Sequence, residues 1–217
     1  MYNFTFNIPT KIHFGKDTIS SLSELKAYGS KVLLVYGGGS IKKNGLYDTA
    51  MKILKDAGLT VFELSGVEPN PKIETVRKGV EICKNEGIDM VLAIGGGSTI
   101  DCSKVVAAGA KYDGDAWDLV LDGSKVKAAL PIFDVLTLSA TGTEMDPFAV
   151  ISDMSKNEKW GTGSPYMVPT MSILNPEYTF SVSKKQTAAG TADMMSHTME
   201  NYFSMENADC QKFMAEG

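Results

Sequence analysis

Cysteine, histidine and tryptophan are scarce in this sequence, and long apolar runs are absent. The three cysteines, Cys83, Cys102 and Cys210, lie far apart and are odd in number. Their spacing excludes a disulfide framework and a zinc knuckle, and it predicts reduced thiols in a cytoplasmic protein. No apolar stretch approaches the roughly 20 residues that cross a bilayer. The N-terminus also lacks the basic start and apolar block of a signal peptide.

Positive charge is scarce as well, and it is scattered along the chain. There are 21 Lys and Arg residues against 26 Asp and Glu residues, and the basic residues form no run. We therefore expect neither nucleic acid nor an anionic membrane as a partner. The chain has 217 residues, of which 43% are hydrophobic, so it is long enough for a substantial core and one or two domains.

Apolar runs alternate with stretches of helical spacing through the middle of the chain. The runs at Lys31–Tyr36 and 90–94 are continuously apolar and end in glycines, as buried parallel strands do. This alternation predicts an α/β fold, a Rossmann-like and mostly parallel sheet with helices on both faces. Further strands are predicted at Thr60–Leu64 and Ile132–Leu138, and helices at 46–57, 73–85 and 99–110.

The two ends of the chain follow other patterns. Residues 2–8 alternate between apolar and polar, and we expect them to pair as a hairpin with the apolar stretch at Lys11–Phe14. Residues 148–152 and 159–162 predict a second hairpin, and Met171–Leu174 predicts a short strand.

From Ser183 onward the composition becomes helical. We therefore expect an α/β domain at 1–178 and the beginning of an all-α domain at 179–217. One or two helices cannot bury their own apolar face, so the sequence is expected to be truncated within this second domain.

Two glycine clusters follow predicted strands. Gly37-Gly38-Gly39-Ser40 follows the first apolar run, and Gly95-Gly96-Gly97-Ser98 follows the second and opens a helix. Free backbone N–H groups and the positive end of a helix dipole suit a pyrophosphate. Neither cluster has the G-x-G-x-x-G spacing, so each is also compatible with a simple tight turn. Two clusters on separate strand ends favour a dinucleotide site.

Two further motifs carry polar side chains in functional-looking patterns. The segment from Thr137 to Glu144 places hydroxyls and a glycine after a strand, which suits a diphosphate or nicotinamide but also describes an ordinary Ser/Thr-rich loop. Asp193 and His197 are four residues apart on a predicted helix and share a face. That pair forms either a surface ion pair or half of a four-ligand site for a divalent metal. His13, the other histidine, is expected at a surface or an edge.

Taken together, these residues resemble the iron-containing (group III) alcohol dehydrogenases, within them the butanol dehydrogenase-like branch. The resemblance covers the whole chain and rests on the order and spacing of its motifs. They are Ile12-His13-Phe14-Gly15, the first glycine cluster with Ile41 and Lys42, Glu68-Pro69-Asn70-Pro71, the second cluster running into Asp101 and Lys104, the Thr137–Glu144 segment, Asn175-Pro176, and Asp193 with His197.

The resemblance implies an α/β domain that binds NAD(P), a helical domain, and a metal, iron or zinc, between them. Asp193 and His197 would be two of four metal ligands, and the other two would be histidines beyond Gly217. The implied cofactor contacts are Gly38, Gly39, Ser40, Asn70, Gly96, Gly97, Ser98, Asp101, Thr137, Ser139, Thr143 and Lys159. No side chain of this chain is identified as a general base.

The first cluster bears on the choice of cofactor. An acidic residue there would bond the ribose 2′-hydroxyl of NAD and repel a 2′-phosphate. Gly38, Gly39 and Ser40 leave room instead, and Lys42 and Lys43 follow closely, so we expect NADP(H) to be preferred over NAD(H).

The expected activity is hydride transfer between a primary alcohol or aldehyde and the nicotinamide, in a homodimer paired through the N-terminal strand. Two alternatives stay open at this point. The chain could be a non-catalytic nucleotide-binding fragment, since two metal ligands are missing, or a relative that acts on a polyol.

Overall fold

A six-stranded parallel sheet lies at the centre of the computed structural model, which describes residues 3, 5, 7–204 and 209–217. The strands are β1 (Lys11–Phe14), β2 (Lys31–Tyr36), β3 (Thr60–Leu64), β4 (Met90–Gly96), β5 (Ile132–Leu138), β6 (Phe148–Asp153), β7 (Glu158–Gly163) and β8 (Met171–Leu174). The sheet order is β1-β8-β5-β4-β2-β3, and β6 and β7 form a separate antiparallel hairpin. The predicted α/β class and the second hairpin are thereby confirmed.

The helices that lie between these strands cover both faces of the sheet. The helices of the chain are α1 (Ser40–Lys43), α2 (Leu46–Asp56), α3 (Ile73–Glu86), α4 (Gly97–Gly109), α5 (Ala116–Leu121), α6 (Lys184–Phe203) and α7 (Asp209–Glu216), with 3-10 segments at Thr18–Tyr28, Gly123–Lys125, Pro165–Met167 and Pro176–Thr179. Helices α6 and α7 follow the last strand. Within the described residues, no helix is both long enough and apolar enough to span a membrane.

The side chains of each strand alternate between two cores. In β2, Leu33 and Val35 pack into a cluster with α3, α4 and α5, while Val32 and Leu34 pack into a second cluster on the opposite face. A strand that is buried on both faces has no polar side to show, and this explains the continuous apolar run at Lys31–Tyr36.

The predicted N-terminal hairpin falls largely on residues that lie outside the described ones, Tyr2, Phe4 and Phe6 among them. Strand β1 pairs in parallel with β8, so that Ile12 lies opposite Ser172, a pairing that was not predicted. Strand β1 thereby extends the main sheet and becomes its edge. The described residues before Lys11 form no strand. His13 does lie on an edge strand, as expected.

The chain divides into two compact units, Met1–Thr179 and Phe180–Gly217. In the first unit, Cys83 and Cys102 are buried free thiols, and burial raises the pKa of each to about 12, so they are unreactive. The side chain of Cys210 lies outside the described residues. The second unit consists of α6 and α7, which pack against each other, and α6 has no buried residue.

Candidate functional site

The two glycine clusters leave the sheet side by side. Tyr36 of β2 lies opposite Ile94 of β4, so Gly37 and Gly95 follow at the same level. The chain runs from β2 outward to β3 and then returns to β4 on the other side of β2. The carboxyl ends of β2 and β4 therefore flank a topological switch point, the position where open α/β sheets bind their ligands.

The Thr137–Glu144 segment joins the second cluster at this edge. Leu138 at the end of β5 lies opposite Gly96, after a shift in strand register between Gly95 and Gly96. A Cβ atom on Gly97 would lie 2.7 Å from the Thr141 hydroxyl oxygen, so a side chain at this position would require Thr141 to move. Helix α4 begins at Gly97 without a side-chain cap. Its first N–H groups are thus left for water or a ligand, which suits an anion.

A fully buried lysine fastens the segment to α4. The Lys104 ammonium lies 2.8 Å from the Thr143 hydroxyl and 2.8 Å and 2.9 Å from the carbonyl and carboxylate oxygens of Asp146. It also lies 2.8 Å from the Phe148 carbonyl oxygen, so its three protons are shared among four acceptors. Thr143 in turn donates to Asp101 at 2.7 Å, and the other Asp101 oxygen accepts from Val150 N–H at 2.9 Å. The polar atoms of these residues are thereby satisfied within the protein.

Burial dominates the electrostatics of this network. It lowers the pKa of Lys104, although the Asp146 carboxylate opposes the shift, and it raises the pKa of Asp101, although Thr143 and Val150 N–H oppose that shift. The contact between Lys104 and Asp146, with Asp101 linked through Thr143, offsets part of this desolvation. Asp101 and Thr143, both predicted as cofactor contacts, thus also hold the segment that carries Ser139.

A buried acid lies behind the same segment. The Ser172 hydroxyl is 2.6 Å from Asp134 Oδ2 and 2.8 Å from the Glu144 carbonyl oxygen. Burial raises the pKa of Asp134 to about 8, so we expect this acid to hold a proton at neutral pH and to share it with the Ser172 hydroxyl. Ser172 thus links Asp134, in the middle of β5, to the backbone at Glu144.

Lys159 and Asn70, both predicted to contact the cofactor, are hydrogen-bonded to each other although they lie far apart in the sequence. Lys159 on β7 donates a 2.7 Å hydrogen bond to the Asn70 side chain oxygen, 89 residues away. Asn70 adopts a left-handed backbone with φ of 54°, which asparagine tolerates better than most residues. The nearby Ser152 N–H donates to the Pro71 carbonyl at 2.9 Å and ties the hairpin to this turn.

The first cluster borders an open cleft of about 310 Å³. Its lining residues are Tyr36, Gly37, Gly38, Gly39, Lys42, Ser65 and Gly66. A Cβ atom on Gly38 or Gly39 would meet nothing within 4 Å, so these glycines leave space that a ligand can fill. No carboxylate side chain lines the cleft. Ser139 lies elsewhere, in a cavity of about 220 Å³ with Glu144 and Asn175.

Asp193 and His197 lie on α6 in the second unit. Asp193 Oδ2 is 3.7 Å from His197 Nε2, and the carboxylate of Glu200 is 3.8 Å from His197 Nδ1. All three side chains are well exposed. A carboxylate oxygen and an imidazole nitrogen on one face are a fitting donor pair for a divalent metal. The described residues contain no group of three or more metal-binding side chains, so this pair fits half of a site.

Sequence reasoning overlooked several residues that shape this edge. Asp134 and Ser172 were not singled out, nor were Tyr47 and Glu63, whose contacts are described below. A signal was available for Asp134, because an ionisable residue interrupts an otherwise apolar buried strand. Lys104 likewise stands out among the small and apolar residues of α4.

The chain belongs to the iron-containing alcohol dehydrogenase family, whose model matches residues 9–176. It is 61% identical, over its whole length, to NADH-dependent butanol dehydrogenase A of Clostridium acetobutylicum, of which it covers 56%. It is 39% identical to the NADPH-dependent aldehyde reductase YqhD of Escherichia coli and covers 57% of that protein. The chain thus spans little more than half the length of these relatives.

The fold agrees with solved structures of the family. The crystal structure of NADH-dependent butanol dehydrogenase A from Thermotoga maritima superposes with a TM-score of 0.95 at 47% identity. That comparison covers the whole of this chain and 55% of the other. The predicted family is therefore confirmed.

Proposed function

We propose that this chain supplies the nicotinamide-binding part, and two metal ligands, of a metal-dependent alcohol dehydrogenase or aldehyde reductase. The observation that carries the proposal is the convergence of Gly37–39, Gly95–97 and the Thr137–Glu144 segment at one sheet edge. When bound, the nicotinamide exchanges hydride with the carbinol carbon while a divalent metal polarises the oxygen.

The residues of this chain would bind and orient the cofactor. Gly97 and Ser98 begin α4, where N–H groups and the helix dipole favour a pyrophosphate. The network around Lys104 holds the Thr137–Glu144 segment against Gly97, so that Thr137 and Ser139 are positioned at the same edge. Lys159 and Asn70 are joined to each other and would contact the cofactor as a pair.

Asp193 and His197 would supply a carboxylate and an imidazole to iron or zinc. Both ligand types suit either metal, and two ligands alone hold a divalent ion weakly. We expect Asp193→Ala and His197→Ala to abolish metal retention in the full-length protein, measured by elemental analysis after dialysis. Glu200→Gln, which alters a neighbouring carboxylate on α6, is the matched control and should retain metal.

The activity is tested directly with butanal and other small aldehydes. Full-length protein should oxidise NADPH or NADH in the presence of an aldehyde once Fe²⁺ or Zn²⁺ is supplied. A folded protein that binds the cofactor but gives no turnover with either metal would contradict the proposal and favour a non-catalytic nucleotide-binding role.

The open cleft at the first glycine cluster supports NADP(H) as the preferred cofactor. No carboxylate lines it, and Lys42 does. The relatives' names divide, since those at 61% and 39% identity are called NADH-dependent and NADPH-dependent. Gly38→Asp would place a carboxylate in open space and should weaken NADPH binding selectively by about tenfold or more. Gly38→Asn is the neutral control. Wild-type protein that binds NADH more tightly than NADPH would contradict the proposed preference for NADP(H).

We propose further that the full-length protein is a homodimer in the cytoplasm and acts on a small alcohol or aldehyde. Light scattering after gel filtration measures the mass of the full-length protein, and a monomer would contradict the proposed dimer.

A further inference from the structure

Four side chains form a cluster beside the cleft at Gly37–39, here called the Lys42 cage. The Tyr36 and Tyr47 hydroxyls donate to the two oxygens of the Glu63 carboxylate at 2.6 Å and 2.7 Å. The Lys42 ammonium lies 3.9 Å from the same Glu63 oxygen that Tyr36 bonds. It also lies 5.0 Å and 4.4 Å from the ring centres of Tyr36 and Tyr47, within the range of cation–π attraction.

Only some residues of the Lys42 cage line the neighbouring cleft. Tyr36 and Lys42 line the cleft, whereas Glu63 does not. Glu63 lies on β3, the neighbour of β2, one residue before the carboxyl end of that strand. In dinucleotide-binding folds, the strand that follows the first glycine-rich turn commonly carries an acidic residue near its end, and this residue bonds the adenosine ribose. In this chain that strand is β3. Here both carboxylate oxygens are instead bonded to tyrosine hydroxyls.

The Lys42 cage makes the Lys42 ammonium less available to a phosphate. From sequence, Lys42 is an unopposed cation behind the glycine cluster, and it favours a 2′-phosphate. In the structure its ammonium is attracted to a carboxylate and two aromatic faces. Binding a phosphate would require it to leave those partners, and the Glu63 charge would repel the phosphate from close range.

We propose that Glu63, held by Tyr36 and Tyr47, restrains Lys42 and thereby sets how strongly this site favours a 2′-phosphate. The inference rests on the proposed function, because it takes the cleft to be the adenosine end of a nicotinamide cofactor site. Glu63 is a specificity-determining residue that acts through Lys42, and it need not touch the cofactor.

Binding measurements on adenine nucleotides separate this role from catalysis. The probes are 5′-AMP and adenosine 2′,5′-bisphosphate, which differ only in the 2′-phosphate, together with NADH and NADPH. Calorimetry on the full-length protein gives the affinity ratio within each pair. Glu63→Gln keeps the shape and can still bond the tyrosines but removes the charge. Glu81→Gln, on the exposed face of α3, makes the same charge change elsewhere.

We expect Glu63→Gln to shift both ratios toward the 2′-phosphate by about two- to fivefold, the size of a released surface ion pair. Glu81→Gln should leave both ratios unchanged. Lys42→Met should shift the ratios the other way, and Lys43→Met, the exposed neighbour, should shift them less. In the double variant Lys42→Met/Glu63→Gln, the gain from Glu63→Gln should shrink, because the two residues act on each other. The shift should also diminish in high salt.

The outcomes distinguish the inference from the function beneath it. Wild-type protein that binds neither NADH nor NADPH contradicts the proposed function and the inference with it. Wild-type protein that binds a cofactor, with ratios that Glu63→Gln leaves unchanged, contradicts the inference alone. A loss of thermal stability in Glu63→Gln with unchanged ratios identifies the cage as purely structural.

Discussion

Helix α4 carries proposed cofactor contacts and helix α6 carries the two proposed metal ligands, yet the burial of the two helices is opposite. Ten of the thirteen residues of α4 are buried, including the charged Lys104, whereas α6 has no buried residue over twenty positions. In α4 the polar groups are fixed by partners from distant parts of the chain. In α6 the approach of Asp193 and His197 follows from helical spacing alone.

This contrast teaches which kind of site geometry a sequence can encode locally. A pair at i and i+4 is brought together by any helix, so its motif is readable without the fold. A network such as that of Lys104, Thr143 and Asp146 exists only where the sheet brings separate segments together. The following substitutions test whether the two helices differ in energy as they differ in burial.

The largest effect is expected at Lys104. Lys104→Met keeps the length of the side chain but leaves the Thr143 hydroxyl, the Asp146 carboxylate and two carbonyls without their donor. Breaking a buried ion pair in this way costs about 3–5 kcal/mol. Urea unfolding should show this loss, whereas Lys185→Met on exposed α6 should change stability by less than about 0.5 kcal/mol. Equal losses of stability in Lys104→Met and Lys185→Met would mean that the difference in burial between α4 and α6 has no energetic consequence.

The next effect depends on pH. The pKa of Asp134 is about 8 in the folded chain, against an ordinary value of 3.8. Because the folded pKa is the higher one, the stabilisation by this proton is present at low pH and is lost as the pH rises toward 8. Asp134→Asn does not titrate and can still donate to Ser172. Between about pH 5 and pH 8.5, wild type should therefore lose a few kcal/mol relative to the variant.

Unfolding curves at the two pH values measure this difference. Asp113→Asn, an exposed aspartate in the loop after α4, is the matched control. Parallel pH dependences of wild type and Asp134→Asn would mean that Asp134 is ionised in the folded protein.

Replacing glycine by alanine should change stability in opposite directions in the two units. A Cβ atom on Gly79 of α3 would lie 2.6 Å from a methyl group of Val106, so Gly79→Ala should destabilise by about 1–3 kcal/mol. A Cβ atom on Gly190 of α6 would meet nothing within 4 Å. Gly190→Ala should therefore stabilise that helix by about 0.5–1 kcal/mol. Helicity and melting temperature of each variant measure both signs, and a stabilising Gly79→Ala would contradict the close packing of α3 on α4.

The smallest energetic effect is expected from methionine oxidation. Met194, Met195 and Met199 on α6 are 61%, 60% and 51% exposed, whereas Met90 and Met167 are fully buried. Peroxide should convert these three residues, and the likewise exposed Met154 and Met214, to sulfoxides before the buried ones. The change in stability should stay below about 0.5 kcal/mol. Mass spectrometry of timed digests gives the order, and early oxidation of Met90 would contradict the burial of β4.

Much of the fold was predictable because its signals are local. The apolar runs of β2 and β4 and the glycines after them predicted the strands and their ends. The α3 prediction ended within a residue of the observed helix, because Gly87 closes it in a left-handed conformation. The pairing of β1 with β8 was not predicted, since β8 lies about 160 residues away and no local signal marks such a partner. The 3-10 segment at Thr18–Tyr28 was missed.

The sequence by itself determined the α/β class, the positions of both glycine clusters, the Asp193–His197 pair and the family. Each of these depends on spacing within one element or on the order of motifs. The tertiary structure alone decided that Lys104 bonds the Thr143 hydroxyl, that Asp134 is buried beside Ser172, and that the Lys42 ammonium lies 3.9 Å from Glu63. The physical reason is that charge and protonation depend on burial and on partners from remote segments, which only the packed sheet brings within hydrogen-bonding distance.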